Sequence, residues 1–119
     1  MNDSKKTLKK ACEAIEDKQG QRLMVLDVHE IASFTHFLVI CEGRNQRQNQ
    51  AICDSVITKL KREEGLPPSH VEGYREASWI LIDYLEFIIH VFSPEARDFY
   101  RLDRLWSDGV RLEPQALIA

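Results

Sequence analysis

The sequence is short of the patterns that hold small proteins together by covalent or metal cross-links. Its three cysteines, Cys12, Cys41 and Cys53, are an odd number, and none stands at C-x-x-C spacing. That argues against a disulfide framework and a cysteine zinc cage. Each sits among apolar neighbours, so reduced, buried thiols packing as small hydrophobes are expected. The four histidines, His29, His36, His70 and His90, show no H-x-x-x-H or Cys/His spacing, and no metal site is expected from them. Gly43 and Gly73 are isolated, so there is no glycine-rich phosphate loop. Ser33, Ser55, Ser69 and Ser78 lack the G-x-S-x-G context of an activated nucleophile. No cofactor is expected.

Long apolar runs are missing as well. Stretches such as Phe37–Cys41 fall far below the roughly 20 residues of a membrane span. No apolar run follows Met1–Lys6, so no signal peptide is expected and the chain reads as cytosolic. Positive charge is not in excess either. The formal net charge is −3, which argues against a general nucleic-acid binder and suits a basic protein surface as partner.

What is present is an ordinary soluble domain. The 119 residues, 44% apolar and 29% charged, fit a single domain over 1–119 with its core at about 5–108. Leu8, Ala11, Cys12 and Ile15 share one face of a helix over 4–18, with Ser4 as N-cap and Gly20 as stop. Leu23–Val28 and Thr35–Cys41 read as strands, joined as a hairpin through 30–34. A helix over 46–64 carries Asn45 as cap, Gln48 at capping-box spacing and Gly65 with Pro67-Pro68 as its stop. Its buried stripe is Ile52, Cys53, Val56, Ile57 and Leu60. Ser78–Tyr84 and Phe87–Phe92 form two further strands, and Ser93-Pro94 opens a last helix of about ten residues. Phe99, Leu102, Leu105 and Trp106 are expected on that helix's apolar side, with a loose tail from Ser107. The fold class is α/β: a mixed four- to five-stranded sheet with helices mainly on one face.

The last two strands carry the functional reading. With Leu85-Glu86 as a two-residue turn, Tyr84 opposes Phe87, Ile82 opposes Ile89 and Ile80 opposes Val91, all on one apolar face. The other face holds Asp83 opposite Ile88, Leu81 opposite His90 and Trp79 opposite Phe92. A slip of one residue would scramble both sets, so the clean partition supports the register. Two readings of the mixed face stay open. It is a second core layer, or an aromatic patch left bare by the helices and used as a protein interface.

Nucleotidyl transfer is the strongest enzymatic candidate for a small mixed sheet, but it needs two carboxylates on one strand face, two residues apart, to hold a divalent metal. Around Asp83 those places are Leu81 and Leu85, and around Asp27 they are Val25 and His29. The metal pair is missing. Arg97, Arg101 and Arg104, with Arg111 beyond, alternate with Glu95, Asp98 and Asp103. That pattern reads as a salt-bridged solvent face, with secondary contact to RNA phosphate as the competing use.

Taken together, His70–Glu76, Trp79, Asp83-Tyr84, His90–Phe92 and Pro94–Arg97 resemble the ribosomal silencing factor (RsfS, Iojap-like) family. Val25–Val28, Ser33–Thr35, Val39–Cys41, Gly43, Arg47-Gln48, Phe99-Tyr100 and Leu105-Trp106 extend the resemblance over roughly 5–108. It implies a nucleotidyltransferase-like fold without catalytic residues. It also implies binding to large-subunit ribosomal protein fourteen, steric blocking of small-subunit joining and translational repression under nutrient limitation. A role in large-subunit biogenesis, or a degenerate nucleotidyltransferase-fold homodimer module, is the alternative. The family motif overlaps the mixed face, so Trp79, Leu81, Asp83 and His90 are the expected partner contacts, with Glu72, Tyr74 and Arg75 on the adjoining loop. Two positions depart from the family. Leu85 stands where glycine is common, which calls for a wider turn, and Asn49 stands where the family is apolar.

Overall fold

The computed structural model describes residues 2–118, with side chains from 4 to 117. Helix α1 (Asn2–Asp17) begins two residues ahead of Ser4, which therefore lies inside its first turn and is not its cap. Leu8, Ala11, Cys12 and Ile15 are fully buried, as the spacing requires. Strands β1 (Gln21–Asp27) and β2 (Phe37–Glu42) pair antiparallel, Val25 opposite Val39 and Asp27 opposite Phe37, so the expected hairpin forms.

Helix α2 (Gln46–Glu64) has the bounds expected from the sequence. The Asn45 side chain accepts the Gln48 N–H at 2.8 Å. The reciprocal bond is displaced by one residue: Gln48 Oε1 accepts from Arg44 N–H at 2.7 Å, while its Nε2 donates to Lys18 O and Gln19 O. Gly65 ends the helix at φ 62, a left-handed position that costs glycine nothing. Asn49 leaves the start of α2 intact. It is fully buried and donates from Nδ2 to Ala77 O at 2.7 Å, a tie that an apolar residue would lack.

Strands β3 (His70–Glu72), β4 (Trp79–Asp83) and β5 (Phe87–Phe92) follow, and the six-stranded sheet has the order β3-β4-β5-β2-β1-β6. Among the described residues only β2 and β5 run parallel. The sheet exceeds the expected four to five strands because β3 and β6 (Val110–Leu112) have three residues each, too few to show a period of two. Nor is the tail loose. Leu112 pairs with Val25, and Leu117 of α5 (Pro114–Ile118) packs on the core beside α1.

The expected last helix divides. Helix α3 (Pro94–Tyr100) is capped by Ser93, whose side chain accepts the Ala96 N–H, and α4 (Leu102–Leu105) restarts after Arg101 at φ 51. That left-handed residue resets the helical phase, so a single 3.6-residue stripe cannot run through both pieces. Phe99 and Leu105, expected to be buried, are 78% and 70% exposed, while Trp106 turns inward.

One sheet face packs Val25, Val39, Cys41, Ile80, Ile82, Ile89 and Val91 against α1 and α2. Each fully buried aliphatic side chain there contributes about 1.5–3 kcal/mol. The three thiols are free and buried, and burial pushes each up to about 12, so they pack as hydrophobes. Among the described residues no helix is long and apolar enough to cross a membrane.

Candidate partner-binding face

The β4–β5 register is the one derived from alternation: Trp79 opposite Phe92, Leu81 opposite His90, Asp83 opposite Ile88. The connection is not widened to suit Leu85. Leu85 takes φ 71, Glu86 N–H bonds to Tyr84 O at 2.8 Å, and Tyr84 N–H bonds to Phe87 O at 3.0 Å. Two side chains hold the turn. Asp83 Oδ1 accepts the Leu85 N–H at 2.8 Å, and Thr35 Oγ1 donates to Leu85 O at 2.9 Å. Part of Asp83's acceptor capacity is thus spent on its own turn.

The mixed face is covered over its centre and open at its β3–β4 side. Trp106 lies on Leu26, Val28 and Leu38, and Ile40 and Phe92 are fully buried. Arg97, expected on a solvent face, is only 3% exposed. Its Nη1 donates to Arg22 O at 2.7 Å and meets Glu42 Oε1 at 3.3 Å. Burial works against the charged guanidinium and lowers its pKa. Glu42, buried at the end of the central strand β2, explains the position: a carboxylate buried there needs a cationic partner. Arg97 is therefore withdrawn from any contact with RNA, while Arg101, Arg104 and Arg111 stay exposed.

Toward the β3 edge the covering stops. Trp79, Leu81, Asp83 and Ile88 are half-buried, and His70 and Glu72 are exposed. Glu72 pairs across the sheet with Leu81, and His70 with Asp83, so these side chains share the face. His70 Nε2 lies 3.2 Å from Glu72 Oε2. Glu72, Gly73, Trp79 and Leu81 line an open cleft of about 310 Å³.

Trp79 is held from beneath and beside. Its ring packs on Phe92 at 5.0 Å and on Tyr100 of α3 at 4.5 Å. Its Nε1–H donates to His90 Nδ1 at 2.9 Å. An indole N–H can only donate, so Nδ1 must be the unprotonated nitrogen and the imidazole is neutral. Burial pushes His90 down to about 4. His90 is 7% exposed, so it orients Trp79 and does not itself reach the surface.

Tyr74 and Arg75 lie apart from this group, on a loop strapped to α2. Gln46 Nε2 bonds to Arg75 O at 2.6 Å and Gln50 Nε2 to Tyr74 O at 2.9 Å. The Tyr74 hydroxyl donates to the Asp54 carboxylate at 3.0 Å, which raises the phenol pKa. Gly73, at φ 78, opens the loop. A Cβ there would stand 2.1 Å from Trp79 O, so the β3–β4 connection admits no side chain at this point. The structure thus brings Glu72, Trp79, Leu81 and Asp83 onto one strip, places His90 under it, and sets Tyr74 and Arg75 beside it.

A second constellation escaped the sequence reading. Asp27, His29 and His36 converge at the β1–β2 hairpin, with Asp27 Oδ1 2.5 Å from His29 Nδ1 and 3.7 Å from His36 Nε2. The hydrogen bond that His29 donates to the Asp27 carboxylate raises the His29 pKa. Linear spacing hides the group; pairing Asp27 with Phe37 across the hairpin reveals it.

Residues 1–118 match the family model described as "Ribosomal silencing factor during starvation". The ribosomal silencing factor RsfS of Halalkalibacterium halodurans is 33% identical over 94% of this chain and 95% of its own length. That of Bacillus subtilis is 33% identical over 90% of each chain. A crystal structure of a protein from Chromobacterium violaceum superposes with a TM-score of 0.81 at 33% identity, covering 85% of this chain and 83% of that one. A match running from the first residue to the last but one, with shared fold and near-complete mutual coverage, leaves a single assignment: the chain belongs to the ribosomal silencing factor family.

Proposed function

We propose that the chain binds the large ribosomal subunit through large-subunit ribosomal protein fourteen, using the uncovered β3–β4 strip. The observation that carries this reading is Trp79: a large aromatic group only half-buried, fixed by His90 and Tyr100, beside Leu81 and an exposed acidic rim. Rigid aromatic anchors in a partly apolar cleft are the usual hot spots of protein interfaces. Glu72 and the remaining oxygen of Asp83 meet lysine or arginine of the partner, which sets register and association rate. Leu81 widens the desolvated centre. His90 acts through Trp79, and Tyr74 and Arg75 contribute from the rim.

Occupying that surface of the large subunit excludes the small subunit sterically, and translation is repressed when nutrients are limiting. The protein works in the cytoplasm and not as an enzyme. The places where a metal-holding carboxylate would sit beside Asp83 carry Leu81 and Leu85.

The experiment is a subunit-joining assay. Purified large subunits are incubated with the chain, small subunits are added, and formation of the joined ribosome is followed by light scattering. The wild-type chain lowers the joined fraction in proportion to its occupancy, and Leu81→Glu restores it. Unimpaired joining at saturating wild-type chain contradicts the proposal.

A further inference from the structure

The hairpin between β1 and β2 assembles three metal-ligating side chains outside the partner-binding strip. Asp27 closes β1 and His36 immediately precedes Phe37, its cross-strand partner, so the carboxylate and the imidazole arrive side by side. His29 returns to them through a tight turn in which Asp27 Oδ1 also accepts the His29 N–H at 3.1 Å. One donor atom from each residue lies within 4.8 Å of the others. The frame is fixed by backbone bonds from Val28 N–H to His36 O at 2.8 Å and from His36 N–H to Glu86 O at 3.0 Å. The His36 ring stacks on Phe37 with centroids 4.3 Å apart and planes at 14°.

We propose that Asp27, His29 and His36 bind a first-row divalent transition metal, zinc in particular. Two imidazoles and one carboxylate are the donor set of such ions, whereas magnesium and calcium take all-oxygen sites. Ligand bonds of about 2.0–2.1 Å in a tetrahedron put donor atoms roughly 3.4 Å apart. The Asp27–His36 separation of 3.7 Å is already close to that, and the 2.5 Å Asp27–His29 contact opens by about 0.9 Å when the metal replaces the shared proton. His29 is exposed and has room to make that shift. His29 and His36 border an open cleft of about 360 Å³, lined also by Leu85 and Glu86, from which water would complete the shell of a bound ion. This site adjoins the β4–β5 turn, at the end of β5 opposite Phe92 and its partner Trp79, and does not depend on the ribosomal reading.

The test is titration of the metal-free full-length chain with zinc chloride by calorimetry, paralleled by cobalt(II) absorption. The proposal expects one equivalent of zinc, four-coordinate cobalt bands without thiolate charge transfer, and at least about tenfold weaker binding for both His29→Ala and His36→Ala, with the fold checked by circular dichroism. His70→Ala, on the other side of the sheet, leaves the affinity unchanged. Absence of stoichiometric zinc binding, thiolate bands, or equal affinity in wild type and a folded His36→Ala chain overturns it.

Discussion

The indole of Trp79 and the imidazole of His90 are diagonal neighbours on β4 and β5, joined by one hydrogen bond of 2.9 Å whose direction fixes the protonation state of the histidine. The bond holds the proposed anchor in one rotamer before any partner arrives. Preorganisation of that kind lowers the entropy lost on binding. It also makes the anchor sensitive to acid.

His90 is held near 4 in the folded chain against 6.5 in the unfolded one. Between those values the unfolded state binds the additional proton, so stability rises with pH across the window and is lost as pH falls from 6.5 through 4. The complete loss amounts to about 3 kcal/mol. Urea unfolding at pH 7 and pH 4.5 checks this. His90→Gln, which keeps an acceptor for the indole and does not titrate, shows a shallower acid limb than wild type. Identical limbs contradict the assignment.

Leu85 is 63% exposed at φ 71, so its side chain gains little burial while its backbone bears the left-handed penalty. Leu85→Gly removes about 1–2 kcal/mol of strain and costs about 0.4–1 kcal/mol in unfolded-chain entropy. The net expectation is stabilisation of about 0.5–1 kcal/mol, read from the denaturation midpoint. A lowered midpoint would mean that the side chain supports the turn.

Arg97 and Glu42 act as a unit. Removing the cation by Arg97→Ala leaves a carboxylate buried with only the half-exposed Arg22 at 3.2 Å to meet it, a loss of about 3 kcal/mol. Arg97→Met with Glu42→Leu recovers most of that stability. A double-mutant cycle by chemical denaturation gives a coupling above about 1 kcal/mol if the pair is interdependent, and additive losses if it is not.

What could be read from the sequence followed from pattern length. The β4–β5 register rests on alternation over five and six residues, and α2 on a cap, a stripe and a glycine stop, so both emerge from one dimension. Three-residue strands leave no period to read, and β3 and β6 stayed hidden for that reason. Arg97 sits among acidic neighbours that suggest a solvent face; only Glu42, 55 residues away, accounts for its burial. Of the strip, alternation placed Trp79, Leu81, Asp83 and His90 on one face. Which of them face solvent depends on where α3 and α4 lie, and that is set by the left-handed Arg101, for which no local signal exists.

The most direct measurement is co-sedimentation of the chain with purified large ribosomal subunits, comparing wild type with Trp79→Ala after circular dichroism has shown that both are folded. The wild-type chain is expected to associate stoichiometrically and the variant to lose at least about tenfold in affinity, the cost of deleting a hot-spot aromatic. Equal association of the two chains, or none above background for the wild type, would contradict it.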